Sequence, residues 1–112
     1  MKTPKRGDLV WIDFNPQSGR EQAGRRPALV LTPSAYNRKV GLAIVCPVTS
    51  HAKDYPFETA LPPGLRIHGV VLADHVRSLD WRARRAEFIC ATPAEVVDDV
   101  AAKVQALISG ED

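Results

Sequence analysis

"TPAEVVDDVAAKVQALISG", Thr92 to Gly110, is the one long helical signal in a chain otherwise broken into short apolar runs. Thr92 is placed as an N-cap, Pro93 at the first helical position, and Glu95 completes Thr-x-x-Glu, a capping box. Val96, Val97, Val100, Val104, Leu107 and Ile108 fall at helical spacing on one face, with Asp98, Asp99 and Lys103 away from it. Gly110 is placed to end the helix. Such a helix needs an apolar surface to cover, and the segments before it read as the strands of that surface.

"DLVWIDF" alternates, with Val10, Ile12 and Phe14 on one face and Leu9, Trp11 and Asp13 on the other. "NPQSGREQAG" is loop by composition. "PALVLT" reads as a strand with Pro27 at its first position, where proline is tolerated. "PSAYNRK" fits one helical turn started by Pro33. "VGLAIVCPVTS" is a long apolar strand in which Pro47 predicts a bulge or an edge. "YPFETAL" is a short strand, "PPGLRIHG" a loop, "VVLADHVRSL" a strand, and "DWRARRAEFICA" a turn followed by a strand. Many short strands and one terminal helix predict a mainly β, α+β fold: a small, curved antiparallel sheet with the helix packed on it. An SH3-like barrel fits that count. No linker or repeat appears, so residues 1–112 read as one domain.

With 45% hydrophobic and 25% charged residues, the composition is that of an ordinary globular protein with material for a real core. No apolar run approaches a membrane span, and "MKTPKRGDLVW" lacks the apolar segment of a signal peptide, so a cytoplasmic protein is expected. Cys46 and Cys90 read as reduced, buried thiols. Neither they nor His51, His68 and His75 have metal-ligand spacing, and no metal or cofactor is expected. The net charge is only +2, but residues 1–40 hold eight Lys/Arg against three acids, and residues 41–112 hold seven against ten. A basic first third permits contact with nucleic acid.

The charge concentrates in "GREQAGRRPALVLT", Gly19 to Thr32. Pro27 disfavours helical geometry at Arg26, so Arg26 is expected in extended form at a strand mouth. Its guanidinium forks onto phosphate or carboxylate oxygens. Glu21 lies five residues earlier, and a turn at Gly24 allows either an Arg26–Glu21 surface ion pair or an anion site with an acid–base group beside it. In "VTSHAKDY", Thr49 and Ser50 offer hydroxyls to a phosphate, followed by Lys53 as a point charge; the same hydroxyls also suit a simple turn. His51 suits a base, a stacking ring or an exposed loop. Glu, Arg, Thr and Lys without a metal suit transesterification of RNA by its own 2′-hydroxyl, because the substrate then supplies the nucleophile.

Together, "GDLVWIDFNP", "GREQAGRRPALVLT", "CPVTSHAKDYPFE" and "GVVLADHVRSLDWRAR" resemble the MazF/PemK toxins of toxin–antitoxin pairs, with the nearest likeness to the MazF branch. The resemblance spans nearly the whole chain. It implies a CcdB/MazF-like barrel and a metal-independent endoribonuclease that cuts single-stranded RNA at short motifs, leaving 2′,3′-cyclic phosphate and 5′-hydroxyl ends. It implies a homodimer and a MazE-like antitoxin whose acidic tail blocks the site. Arg26 matches the family's catalytic arginine, Thr49 its catalytic threonine, and Glu21 a glutamate of acid–base or loop-positioning work. Gln22, Arg25, Ser50, Lys53 and Asp74 are then expected at the substrate. Arg25 stands where MazF often has histidine, and Asp74 matches an aspartate that PemK-type relatives use. Trp11 and Trp81, read as exposed aromatics among arginines, are expected to bind the antitoxin. The competing class is a CcdB-like toxin that inhibits DNA gyrase and needs no Glu21/Arg26/Thr49 set. An inert SH3-like RNA-binding module would need more stacking aromatics than the 6% present.

Overall fold

The computed structural model describes residues 2–16 and 18–112; Met1 and Gln17, at the N-terminus and in the expected Asn15–Gly24 loop, lie outside the described residues. Its elements are β1 (Asp8–Asp13), β2 (Arg25–Val30), α1 (Ser34–Val40), β3 (Leu42–Thr49), β4 (Glu58–Ala60), β5 (Val70–Leu72), a 3-10 turn (Ala73–His75), β6 (Arg77–Asp80), β7 (Glu87–Ala91) and α2 (Ala94–Ile108). The strands form one antiparallel, seven-stranded sheet in the order β4-β5-β3-β2-β1-β7, with β6 also paired to β3. The expected mainly β barrel-like fold with a terminal helix is therefore what the chain adopts.

The sheet is buried on both faces. Alternate residues of β1, β2 and β3 feed two clusters, which is what a period of two imposes. Leu9, Leu29, Cys46 and Val48 join Val97 and Val100 of α2. Val10, Ile12, Phe14, Ala28, Val30 and Val45 join Leu79 and Trp81 on the opposite face. The expected division of β1 holds, with Leu9 on the helix side and Trp11 partly exposed.

Both prolines sit where a missing N–H matters least. Pro27 is the third residue of β2 rather than the first; it pairs with Trp11 of β1, and the β2–β3 ladder begins only at Ala28. Pro47 neither bulges nor ends β3. On one side Leu42–Val45 pair with β6 and Val48–Thr49 with β5, so Pro47 falls in the gap between the two partners. The run "VVLADHVRSL" correspondingly splits at the 3-10 turn into β5 and β6.

Helix α2 departs from the sequence reading at both ends. Pro93 is the N-cap, and no side chain caps the helix. Thr92 stays with the strands, its N–H donating to the Gly7 carbonyl at 2.9 Å, and its hydroxyl is buried without a hydrogen-bond partner. Ser109 is the C-cap, its hydroxyl donating to the Gln105 carbonyl at 2.6 Å, with Gly110 one residue beyond. Val96, Val97 and Val100 are buried as expected, but Leu107 and Ile108 run past the core and are 44% and 76% exposed.

Trp81 is not an exposed aromatic. It is 0% exposed, in the cluster with Phe14 and Leu79, and its indole N–H donates to the Asn37 carbonyl at 2.8 Å. Asn37 is itself fully buried and satisfied. Its amide donates to the Pro4 and Thr32 carbonyls, and its Oδ1 accepts from the Thr32 hydroxyl at 2.6 Å. The arginines of "DWRARR" concealed a strand alternation, Leu79 and Trp81 inward with Ser78 and Asp80 outward. The Arg82 guanidinium lies over the indole ring at 4.7 Å. Trp81→Ala removes this ring and its donor, and is expected to cost about 3–5 kcal/mol in urea unfolding; a stability within experimental error of the parent would contradict this packing.

Candidate active site

The β2–β3 register pairs Ala28 with Pro47, and continuing it two residues sets Arg26 opposite Thr49. Both residues line two adjoining cavities of about 700 and 440 Å³. Among the described residues Arg26 makes one side-chain hydrogen bond, from Nε to the Ala23 carbonyl at 2.9 Å. That bond leaves the two Nη groups free to fork onto an anion. Thr49 is 8% exposed and its Oγ1 accepts the His51 N–H at 3.2 Å, so the turn expected there does form. Its O–H remains available as a donor.

Gly69 locks Thr49 in place. With φ of +131°, it passes so close that a Cβ would lie 2.3 Å from the Thr49 carbonyl oxygen. Only glycine combines that conformation with that approach.

The larger cavity also takes in Gln22, Lys53 and Asp74, three of the residues singled out in the sequence, together with Arg20, His51, Tyr55, Glu58 and His75. The second takes in Trp11, Arg25 and Ser50, with Arg66 and His68. Glu21 stands apart. It lines a third cavity with Ser18, Asp74, His75 and Arg77, and among the described residues it makes no ion pair with Arg26. Gly24 does turn the chain, but its N–H donates to the Asn15 side chain and its carbonyl accepts from Phe14, which pins the neck of the loop instead. Arg25 is tied down: its Nη2 donates to the Arg85 carbonyl at 2.7 Å, with Glu87 at 3.6 Å. It is less free to fork onto a ligand than Arg26.

Tyr55, Glu58 and His75 were not singled out from the sequence. Tyr55 donates its hydroxyl to Asp74 Oδ1 at 2.9 Å. Burial first, then that bond and the Asp74 charge, push its phenol up to about 12, so it remains a donor at neutral pH. The signal lay in "YPFE", an aromatic and an acid beside the already suspected Lys53, but nothing local marks which way they face. Among the described residues, no group of three or more His, Cys, Asp or Glu side chains is placed to hold a metal ion. Cys46 and Cys90 are free thiols, and burial, then Asp74, pushes Cys46 up to about 12.

A basic cleft on a small two-faced β-sheet, lined by an arginine fork and a hydroxyl, offers donors of the kind that suit a phosphate. A family model described as "PemK-like, MazF-like toxin of type II toxin-antitoxin system" matches residues 5–108, and the chain belongs to that family. It is 47% identical over 105 residues to the endoribonuclease toxin MazF of Escherichia coli (strain K12), covering 94% of each chain. It superimposes on a crystal structure of MazF from Deinococcus radiodurans with a TM-score of 0.95 at 56% identity, covering 98% of this chain and 100% of that one. A MazE–MazF crystal structure from the same organism matches with a TM-score of 0.87 at 51% identity, over 99% and 100% of the chains.

Gly69→Ala is expected to destabilise the fold by more than about 1 kcal/mol, because alanine is incompatible with that positive φ, and to shift the amide resonances of Thr49 and Ser50. Unchanged stability and unchanged resonances would show that the close approach does not hold Thr49.

Proposed function

We propose that this protein is an endoribonuclease toxin. It cleaves single-stranded RNA without a metal, leaving 2′,3′-cyclic phosphate and 5′-hydroxyl ends, and a MazE-like antitoxin neutralises it. The observation that carries the reading is that the Arg26 guanidinium, engaged through Nε alone among the described residues, lines the same cavity as Thr49. The names of the relatives support it, since the E. coli protein is an endoribonuclease toxin and the Deinococcus structures include a MazE complex. The gyrase-inhibitor alternative finds no such support.

In the proposed reaction the substrate's 2′-oxygen bonds to phosphorus as the bond to the 5′-oxygen breaks. Arg26 and Thr49 donate to the non-bridging oxygens, whose charge grows in the transition state. A carboxylate takes the 2′-hydroxyl proton. Asp74 is the better placed of the two candidates, because it lines the cavity of Arg26 and Thr49 while Glu21 lies one cavity away. Glu21 then belongs to positioning the loop, with Gln22 and Lys53 as substrate contacts. The leaving 5′-oxygen needs a proton, and in this reading His51, which lines both cavities of the pair, gives it.

The acidic tail of the antitoxin would compete for the same cations. Trp11, 36% exposed and sharing a cavity with Arg25 and Arg26, keeps its proposed place at that partner, and Trp81 loses it. The whole chain acts as one domain in this reading, in the cytoplasm; no helix among the described residues is long and apolar enough to cross a membrane. A homodimer is proposed from the apolar groove of Leu31, Ile44, Ala101, Val104 and Ile108, beside the exposed Leu107. Light scattering at micromolar concentration is expected to give twice the chain mass, and a monomer would refute the dimer.

Sequencing the ends of RNA digested in excess EDTA tests the chemistry. Cleavage should persist, with 5′-hydroxyl ends, and a 2′-deoxy nucleotide just before the cut should abolish it. A strict need for Mg²⁺, or 5′-phosphate ends, would refute the mechanism. Arg26→Ala should lose about 10²–10³ in turnover, the usual cost of one transition-state donor; a folded variant that cleaves normally would remove Arg26 from the site.

A further inference from the structure

The segment from Ser50 to Phe57 brings Lys53 and Tyr55 to the cavity of Arg26 and Thr49, yet it pairs with no strand. One carboxylate sets its shape. Glu58, the first residue of β4, accepts the Lys53 N–H on Oε2 at 2.9 Å and the Asp54 N–H on Oε1 at 3.0 Å. Two successive amides aimed at one anion make a nest, filled here from within the chain. Asp54 has φ of 57°, a left-handed conformation uncommon outside glycine that aspartate tolerates better than most residues, and the bonds to Glu58 hold it there. The Glu58 N–H also donates to the Tyr55 carbonyl at 3.1 Å, and the Tyr55 hydroxyl reaches Asp74.

Glu58 is anchored in turn from α2. The Lys103 ammonium donates to the Glu58 carbonyl at 2.7 Å and to the Thr59 hydroxyl at 2.9 Å, and it pairs with Asp99 at 2.9 Å. The Thr59 hydroxyl donates to Asp99 at 2.7 Å. Hydrogen bonds from Thr59, then Lys103, hold the Asp99 carboxyl below the usual carboxylate range. Glu58 faces the cavity, but both its oxygens are committed to amides. Uncommitted, a carboxylate there would repel a phosphate.

We propose that Glu58 is a positioning residue for RNA binding. Its carboxylate fixes the Lys53–Tyr55 segment so that the Lys53 ammonium and the Tyr55 ring meet the strand lying across Arg26 and Thr49. The Lys103–Asp99–Thr59 network on α2 holds Glu58 for that task. The assignment rests on the RNA-cleavage reading above.

The test compares the full-length protein with Glu58→Ala and Glu58→Gln on an RNA oligonucleotide spanning a site the parent cuts, alongside amide hydrogen exchange of the free proteins. Glu58→Ala should raise KM about tenfold, the order expected when a contact loop must be ordered on binding. Its kcat should stay within about threefold, because no transition-state contact is removed. Exchange at the Lys53 and Asp54 amides should quicken. Glu58→Gln keeps one acceptor oxygen and should restore part of both effects; if Glu58→Ala does not fold, Glu58→Gln alone decides. Unchanged exchange, or faster exchange with unchanged KM, overturns the proposal. A large loss of kcat at unchanged KM also overturns it, by making Glu58 a catalytic group. If the parent protein cuts no RNA, the cleavage reading fails and takes this role with it, while the exchange rates still report whether Glu58 holds the loop.

Discussion

Strand β3 must satisfy different neighbours along one edge, and the rest of the structure follows from how it does so. Leu42–Val45 pair with β6 and Val48–Thr49 with β5, while β2 lies along the other side. The changeover falls at Cys46 and Pro47, where the 3-10 turn between β5 and β6 crosses and where a proline has no N–H to leave unpaired. Splitting its partners curls the sheet, so alternate side chains of the same strands fill two separate clusters. It also ends β3 at Thr49 beside β5, and the β2–β3 register, continued two residues past the Ala28–Pro47 pair, sets Arg26 across from Thr49.

The chemistry inherits that rigidity. Thr49 pairs with Val70 of β5, and Gly69, the residue before Val70, passes close to its carbonyl. Arg26 extends from a strand end with, among the described residues, only its Nε engaged. The donors proposed for the phosphate are therefore held by the core, whereas the groups proposed to select and orient RNA sit on loops. A stiff charge-stabilising pair with adaptable walls is the division of labour expected of a site that must be preorganised toward one transition state and still admit a flexible strand.

Much of this was legible in the sequence, for physical reasons that differ by element. The period of two in "DLVWIDF" and the helical period after Pro93 reported burial directly, and the order of strands and helix followed. The Arg26–Pro27 step marked a strand mouth. Failures came where a residue's local context pointed one way and its tertiary partners another. Thr92 looked like a cap, yet its backbone is engaged by Gly7 across the sheet. Trp81 sat in a polar run, yet Asn37 offers a buried carbonyl for its indole. Leu107 and Ile108 continued an apolar face beyond the surface that covers it. Glu21 is close to Arg26 in sequence but lines the neighbouring cavity, which Arg26 does not reach, and Glu58 was invisible because its partners are backbone amides.

The central claim is that Arg26 and Thr49 act on one phosphate. A double-mutant cycle on kcat/KM for RNA cleavage, comparing Arg26→Ala, Thr49→Ala and the pair, tests it most directly. Two donors to a shared charge are coupled, so the double variant should lose clearly less than the product of the two single losses. Losses that simply multiply would mean the two side chains act independently, and the register of β2 and β3 would not be what builds the site.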